Sequence, residues 1–440
     1  MIQSFPRSLL ALSVSLGSGI ATSGAVGAQE RSPEQEWSCR TAARADEAVP
    51  LVVNGWSVRS LGSAPKLARD GRGVLLLDAI IDSTTSSSDR FNRLQNIRSV
   101  PLLLRGSIAS TIPRPGDGPV GEWQVLDGAI GSDRVHVLWR APNSSQLVLA
   151  SSATADTLVE RVVPGGDSLT FVPGQSGALV LEGSTVAVAA QYANMRSRPG
   201  ELSQERPWTI LRRLNDRWTS APVSPIRGLA LGLALLHDDL GTMMLVLKGG
   251  AAGVSWMTRY LAAAPSELHG NQREHPLAGI RTFGSIEAAT DGESTLLAMK
   301  VLRGPDVDRA AREILLAARF RRGVLEVVDT IDVARSFSHY TVAPVSRDKL
   351  AVLARTSDGV AAVYLPIPPV TRSGDERRRW QRIPLLGSTH VELPLLGLQR
   401  DELWLYSTVS PEGPRRAPSE EAQEVRASRL VCELRVSSDG

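Results

Sequence analysis

The chain has 440 residues, 42% of them hydrophobic and only 5% aromatic, with 49 Lys and Arg against 46 Asp and Glu. Charge so evenly balanced excludes a nucleic-acid binder that works through a one-signed face. Its two cysteines stand far apart, which excludes a clustered zinc or dithiol site.

Residues 1–28 have the form of a secretory signal peptide. Arg7 supplies the positive start, Ser8 to Leu16 the short apolar run, and Val26-Gly27-Ala28 a small-residue cleavage site. Ser13, Ser15, Gly17 and Gly19 interrupt the run, which is too short to span a bilayer. No Cys follows the cleavage site, so no lipid anchor is expected there. The sequence therefore predicts an exported protein, periplasmic or secreted. In such a compartment Cys39 and Cys432 are expected to form a disulfide. Closing so long a loop would disfavour the unfolded chain by roughly 5 kcal/mol. Residues 29–50 read as a tail anchored by that bond, and 51–440 as the folded domain.

From there a unit of about 55 residues recurs, each built on two apolar runs joined by a tight polar turn. The turns are Asp70-Gly71-Arg72-Gly73, Gly131-Ser132-Asp133, Glu182-Gly183-Ser184, Asp238-Asp239-Leu240-Gly241, Asp291-Gly292, Ser346-Arg347-Asp348 and Gln399-Arg400-Asp401. From Asp70 through Asp133, Gly183, Asp239, Asp291 and Asp348 to Asp401 the steps are 63, 50, 56, 52, 57 and 53 residues. A module of this size with several short strands predicts an all-β fold, a seven-bladed β-propeller in one domain closed by N- and C-terminal strands. The turn aspartates repeat because tight turns favour Asp and Gly.

The second run of each unit reads most clearly as a strand, as in Val135-His136-Val137-Leu138-Trp139, Thr185 to Ala190, Met243 to Leu247 and Leu403 to Tyr406. Several are apolar throughout, as strands covered on both faces must be. Outer strands carry a tryptophan near the start: Trp56, Trp218 and Trp380. Trp218 stands 21 residues before Asp239, the turn aspartate of the following unit, and Trp380 21 before Asp401. On that register Trp56 is expected in the outer strand of the last blade, beside Ser428 to Arg435.

Connections after the second run are long in alternate units: 83–98, 191–207, 302–312 and 407–426. Variable loops of this kind are where function is usually mounted. They carry Arg90, Arg93, Arg196 and Arg198, interspersed with acids such as Asp89, Glu201 and Glu205. One reading is an anion- or protein-binding rim; the other is ordinary solvated loop charge. His339 and His390 occupy matching places ahead of two inner strands, which would point both toward one mouth of the central channel. They serve there either as ligands or bases, or as polar residues closing the channel. The segment from His269 to His275 fits no metal-ligand spacing, and Pro276 marks it as an irregular connection. His136 and His237, within a strand and beside a turn, read as structural. No metal and no cofactor is expected.

Trp-Ser or Trp-Thr ahead of an apolar run (Trp56-Ser57, Trp218-Thr219), following an apolar hairpin and a further strand, resembles sialidase-like propellers of the BNR-repeat type with degenerate repeats. Gln381-Arg382-Ile383-Pro384 resembles the Arg-Ile-Pro signature of sialidase catalytic domains, although here it stands in the sixth unit. The Ser-x-Asp-x-Gly-x-Thr-Trp box is absent. The resemblance implies a propeller, and with it glycoside hydrolysis or glycan binding as one function. The residues themselves favour an exported non-catalytic propeller that binds another protein, as a scaffold or peripheral subunit of an envelope complex. Long loops on a regular frame, with no assembled catalytic set, are the grounds for that expectation.

Overall fold

The computed structural model describes residues 35–41, 49–60, 66–67, 73–82, 97–116, 123–142, 146–153, 157–162, 169–171, 177–194, 208–214, 217–222, 229–238, 241–250, 253–261, 272–277, 280–290, 294–303, 312–321, 324–331, 337–346, 349–356, 361–367, 379–384, 391–399, 402–409 and 424–436. These are almost wholly strands, paired antiparallel into seven sheets. The second sheet shows the plan: Gln124–Ile130, Val135–Arg140, Leu147–Ser152 and Thr157–Val162 pair in chain order. Each apolar run flanking a repeated turn is one of two adjacent strands. Ile130 faces Val135, Glu182 faces Thr185, Asp238 faces Gly241, and Gln399 faces Glu402.

The sheets stand in a propeller-like ring. First strands touch in succession: Gln124–Ile130 with Ala178–Glu182, then Leu229–Asp238, Ile280–Thr290, Phe337–Ser346 and Val391–Gln399. The last of these meets Val74–Asp82 of the first sheet, and Lys66–Leu67 of that sheet returns to Gln124–Ile130. The apolar cores lie between neighbouring sheets. Within Val74–Asp82, Val74 and Leu76 pack with Tyr406 and Val425 of the last sheet. Leu75, between them in sequence, packs with Val137 and Trp139 of the second. Alternation across a strand buried on both faces is why these runs are apolar at successive positions. The approach between first and second sheets is close: a Cβ on Gly128 would lie 2.5 Å from Leu75 Cδ2.

Polar groups also tie one sheet to the next. Asp127 is buried, and its carboxylate accepts the amide of Leu179 at 2.7 Å across the sheet boundary and that of Gly128 at 2.8 Å. Replacing it by alanine strips two buried amides of that acceptor. Asp127→Ala should cost about 2 kcal/mol, read as a lower denaturant midpoint with unchanged slope.

Closure differs from the expected register. The strand that completes the last sheet is Gln35–Thr41, paired along Glu424–Val436 from Gln35 opposite Val436 to Thr41 opposite Leu430. Cys39 lies directly opposite Cys432 and is bonded to it. Trp56 instead opens Trp56–Ser60, which pairs with Val74–Asp82 in the first sheet. The closing strand carries its own tryptophan, Trp37, which is buried. Trp37 thus takes the place in its sheet that Trp218 and Trp380 take in theirs. Its peptide is gripped by the Gln381 amide of the sixth sheet, which accepts from Trp37 N at 2.5 Å and donates to Trp37 O at 2.9 Å.

The segment around His275 is also more regular than expected. Gln272–Leu277 is the outer strand of the fourth sheet, paired with Gly253–Leu261. Pro276 is tolerated because an edge strand has a side that needs no donor.

Candidate functional site

Of the residues singled out for binding, Arg90, Arg93, Arg196, Arg198 and His390 lie outside the described residues. The backbone of His339 is described: it stands near the start of Phe337–Ser346, beside a register irregularity and opposite Arg355.

A cavity of about 320 Å³ lies on the other face of the ring, where the repeated turns are. It opens between the second and third sheets, and the register explains its lining. His136, Ser151 and Leu158 form one row across three adjacent strands. Leu138, Leu149 and Glu160 form the row two residues further from the turn. Across the boundary Leu179, Val186, Val188 and Leu211 meet Leu138, Leu147 and Leu149 in a shared apolar core. Toward the turns that core gives way to polar side chains. Asp133, Arg134, His136 and Ser151 come from one sheet, and Ser184, Thr185 and Arg213 from the next.

These side chains hold one another. His136 Nδ1 and Ser151 Oγ are hydrogen-bonded at 2.8 Å. Arg134 Nη1 donates to Ser151 O at 3.4 Å, and its Nε lies 4.0 Å from the largely exposed Asp133 carboxylate. Arg213 Nε is 2.8 Å from Glu160 Oε2, an ion pair that crosses from the third sheet to the second. A second chain of contacts continues around the ring: Arg212 pairs with Glu182 at 2.9 Å, and Thr242 of the fourth sheet donates to the same carboxylate. His237 Nδ1 lies 3.1 Å from Thr242 Oγ1.

Burial lowers the pKa of His136 to about 4. Arg134 and Arg213 push the same way, and Asp133 opposes them. A serine within hydrogen-bond reach of a histidine meets the first requirement of a nucleophile–base pair. An imidazole that protonates near pH 4 is nevertheless a weak base at neutral pH. The pair is suited to hydrogen bonding rather than proton abstraction. Sequence reasoning took His136 as structural and passed over Arg134, Ser151 and Arg213. The available signal was Arg134 and His136 alternating onto one strand face beside a turn.

Ring, sheet order and turn geometry define a β-propeller. Comparison with known protein families and with curated proteins finds no match for this sequence. Among solved structures, an oligogalacturonate lyase in complex with manganese is similar over 91% of this chain and 98% of its own, at 11% identity and a TM-score of 0.50. The phage phi92 endosialidase is similar over 87% of this chain and 68% of its own, at 9% identity and a TM-score of 0.42. At 11% identity the likeness to the lyase speaks to the fold alone.

Proposed function

We propose that this is an exported, seven-bladed propeller, each sheet one blade, that binds another protein as a scaffold or peripheral subunit of an envelope complex. In this reading residues 1–28 are removed on export, 29–50 carry the disulfide anchor and the strand that closes the last blade, and 51–440 form the rest of the propeller. A disulfide fits a compartment outside the cytoplasm.

One observation carries the binding role: connections between second and third strands are long in the odd-numbered sheets and short in the even-numbered ones. They are long at 83–96, 195–207, 304–311 and 410–423, and short at 141–146, 251–252 and 357–360. The described ends of the strands that flank them lie opposite the repeated turns. That is the docking face of this proposal, with His339 and His390 at its centre and Arg90, Arg93, Arg196 and Arg198 on its rim. Pull-down from a native envelope extract should recover a defined partner. Charge reversal at Arg196 and Arg198 should weaken that association several-fold and flatten its salt dependence, with the melting temperature unchanged. Loss of binding on reversal at Arg72 and Arg347 instead would move the docking face to the turn side. Turnover of a sialoside by the purified protein would replace the scaffold reading with the sialidase-like one.

A further inference from the structure

The cavity between the second and third sheets lies on the face away from the proposed docking surface and requires its own explanation. We propose that it is a binding site for a small oxyanion, a carboxylate or phosphate group. The anion would sit against Arg134 and Arg213, with the hydroxyls of Ser151, Ser184 and Thr185 around it.

Three features support this. The first is charge: two guanidinium groups, one from each sheet, line the cavity, and with Arg213 balanced by Glu160 behind it, Arg134 shares the lining with a single carboxylate, Asp133. That carboxylate is 80% exposed and 4.0 Å from Arg134, a contact that leaves the cation largely uncompensated. The second is positioning. Glu160 fixes Arg213 from outside the lining, and Ser151 O restrains Arg134, so both forks are oriented before a ligand arrives. Planar guanidinium groups match the oxygens of carboxylates and phosphates in paired hydrogen bonds. The third is the neutral remainder. The hydroxyls donate without adding charge, and His136 is uncharged at neutral pH, so it completes the wall without repelling the arginines. Leu149, Leu158 and Val186 give the cavity an apolar side. At about 320 Å³ it lies at the small end of ligand pockets.

Calorimetric titration at low ionic strength with inorganic phosphate, and separately with acetate, tests the site. Saturable one-to-one binding of either probe is expected. It should weaken at least tenfold in Arg134→Gln and remain unchanged in Arg105→Gln, an exposed arginine of the first sheet. Ser184 is exposed on its turn, so Ser184→Glu offers a second variant that leaves the apolar core alone and should repel the anion. Binding of phosphate but not acetate assigns a phosphate group, and the reverse a carboxylate. Binding must also raise the His136 pKa, visible as a displaced ring-proton titration, because an anion beside the imidazole favours its charged form. Failure of both probes to saturate overturns the proposal. So does equal weakening in Arg105→Gln, or a His136 titration that ignores the bound probe.

Discussion

Thiol titration of the unfolded, unreduced protein should detect no free thiol. Replacing Cys39 and Cys432 together by serine should lower stability by roughly 5 kcal/mol. The bond joins residues 393 positions apart in sequence, so the loop it closes in the unfolded chain includes nearly the whole ring. Its two strands are already paired residue by residue from Gln35 to Thr41, which leaves the native ladder intact in the double variant. The loss should therefore appear as a large fall in melting temperature with little change in the circular dichroism of the folded state. Reducing agent should reproduce the fall in the wild type and have no effect on the variant. Two reactive thiols in the unreduced wild type would contradict the bond.

Stability should also fall with acid in a way that traces to one side chain. His136 has a folded pKa of about 4, below the ordinary value of 6.5, because burial disfavours its charged form. Above pH 6.5 neither state holds the proton and the residue contributes no slope. Between 6.5 and about 4 the unfolded chain takes up a proton that the folded chain refuses, so stability declines as pH falls. Below that window both states are protonated and the decline from this residue stops. The full difference amounts to about 3 kcal/mol. Asp133, Arg134 and Arg213 face the imidazole, and only Asp133 offsets part of the penalty. Carboxylates titrate near the lower end of the same range. The informative comparison is therefore with His136→Gln, whose unfolding free energy should lose about one proton of pH dependence between pH 6.5 and 4. Identical slopes in the two proteins would show that His136 titrates normally in the fold.

The ring was legible in the sequence because its repeated element is local. A tight turn between two apolar runs is specified by a dozen consecutive residues, and the strand ends flanking those turns pair as that pattern requires. Closure was half legible. The two cysteines and the need to join chain ends pointed to the right partners, but Trp56 drew the register away from Trp37. The reason is physical: Trp56 lies just after the apolar Leu51-Val52-Val53, whereas the closing strand Gln35–Thr41 is polar at most positions and has no apolar run beside it. It is held by its ladder, the disulfide and the Gln381 amide rather than by an apolar pattern. The cavity was not legible. Arg213 stands 77 residues from His136 and meets its surroundings only because two sheets pack face to face. No periodicity within one unit records which rows of a neighbouring unit it will touch.

The pairing of Gln35–Thr41 with Glu424–Val436 makes the fold a test of its own completeness. During synthesis Cys39 is made 393 residues ahead of Cys432, so the early strand must wait without a ladder until Glu424–Val436 has been translated. A chain truncated before Glu424 would leave the last sheet with two strands, Val391–Gln399 and Glu402–Val409, and an open edge. It would also leave Cys39 with no mate. Unpaired edges recruit other chains and proteases, so a product terminated before Glu424 carries its own mark for removal, and only a chain translated through Val436 can hide it.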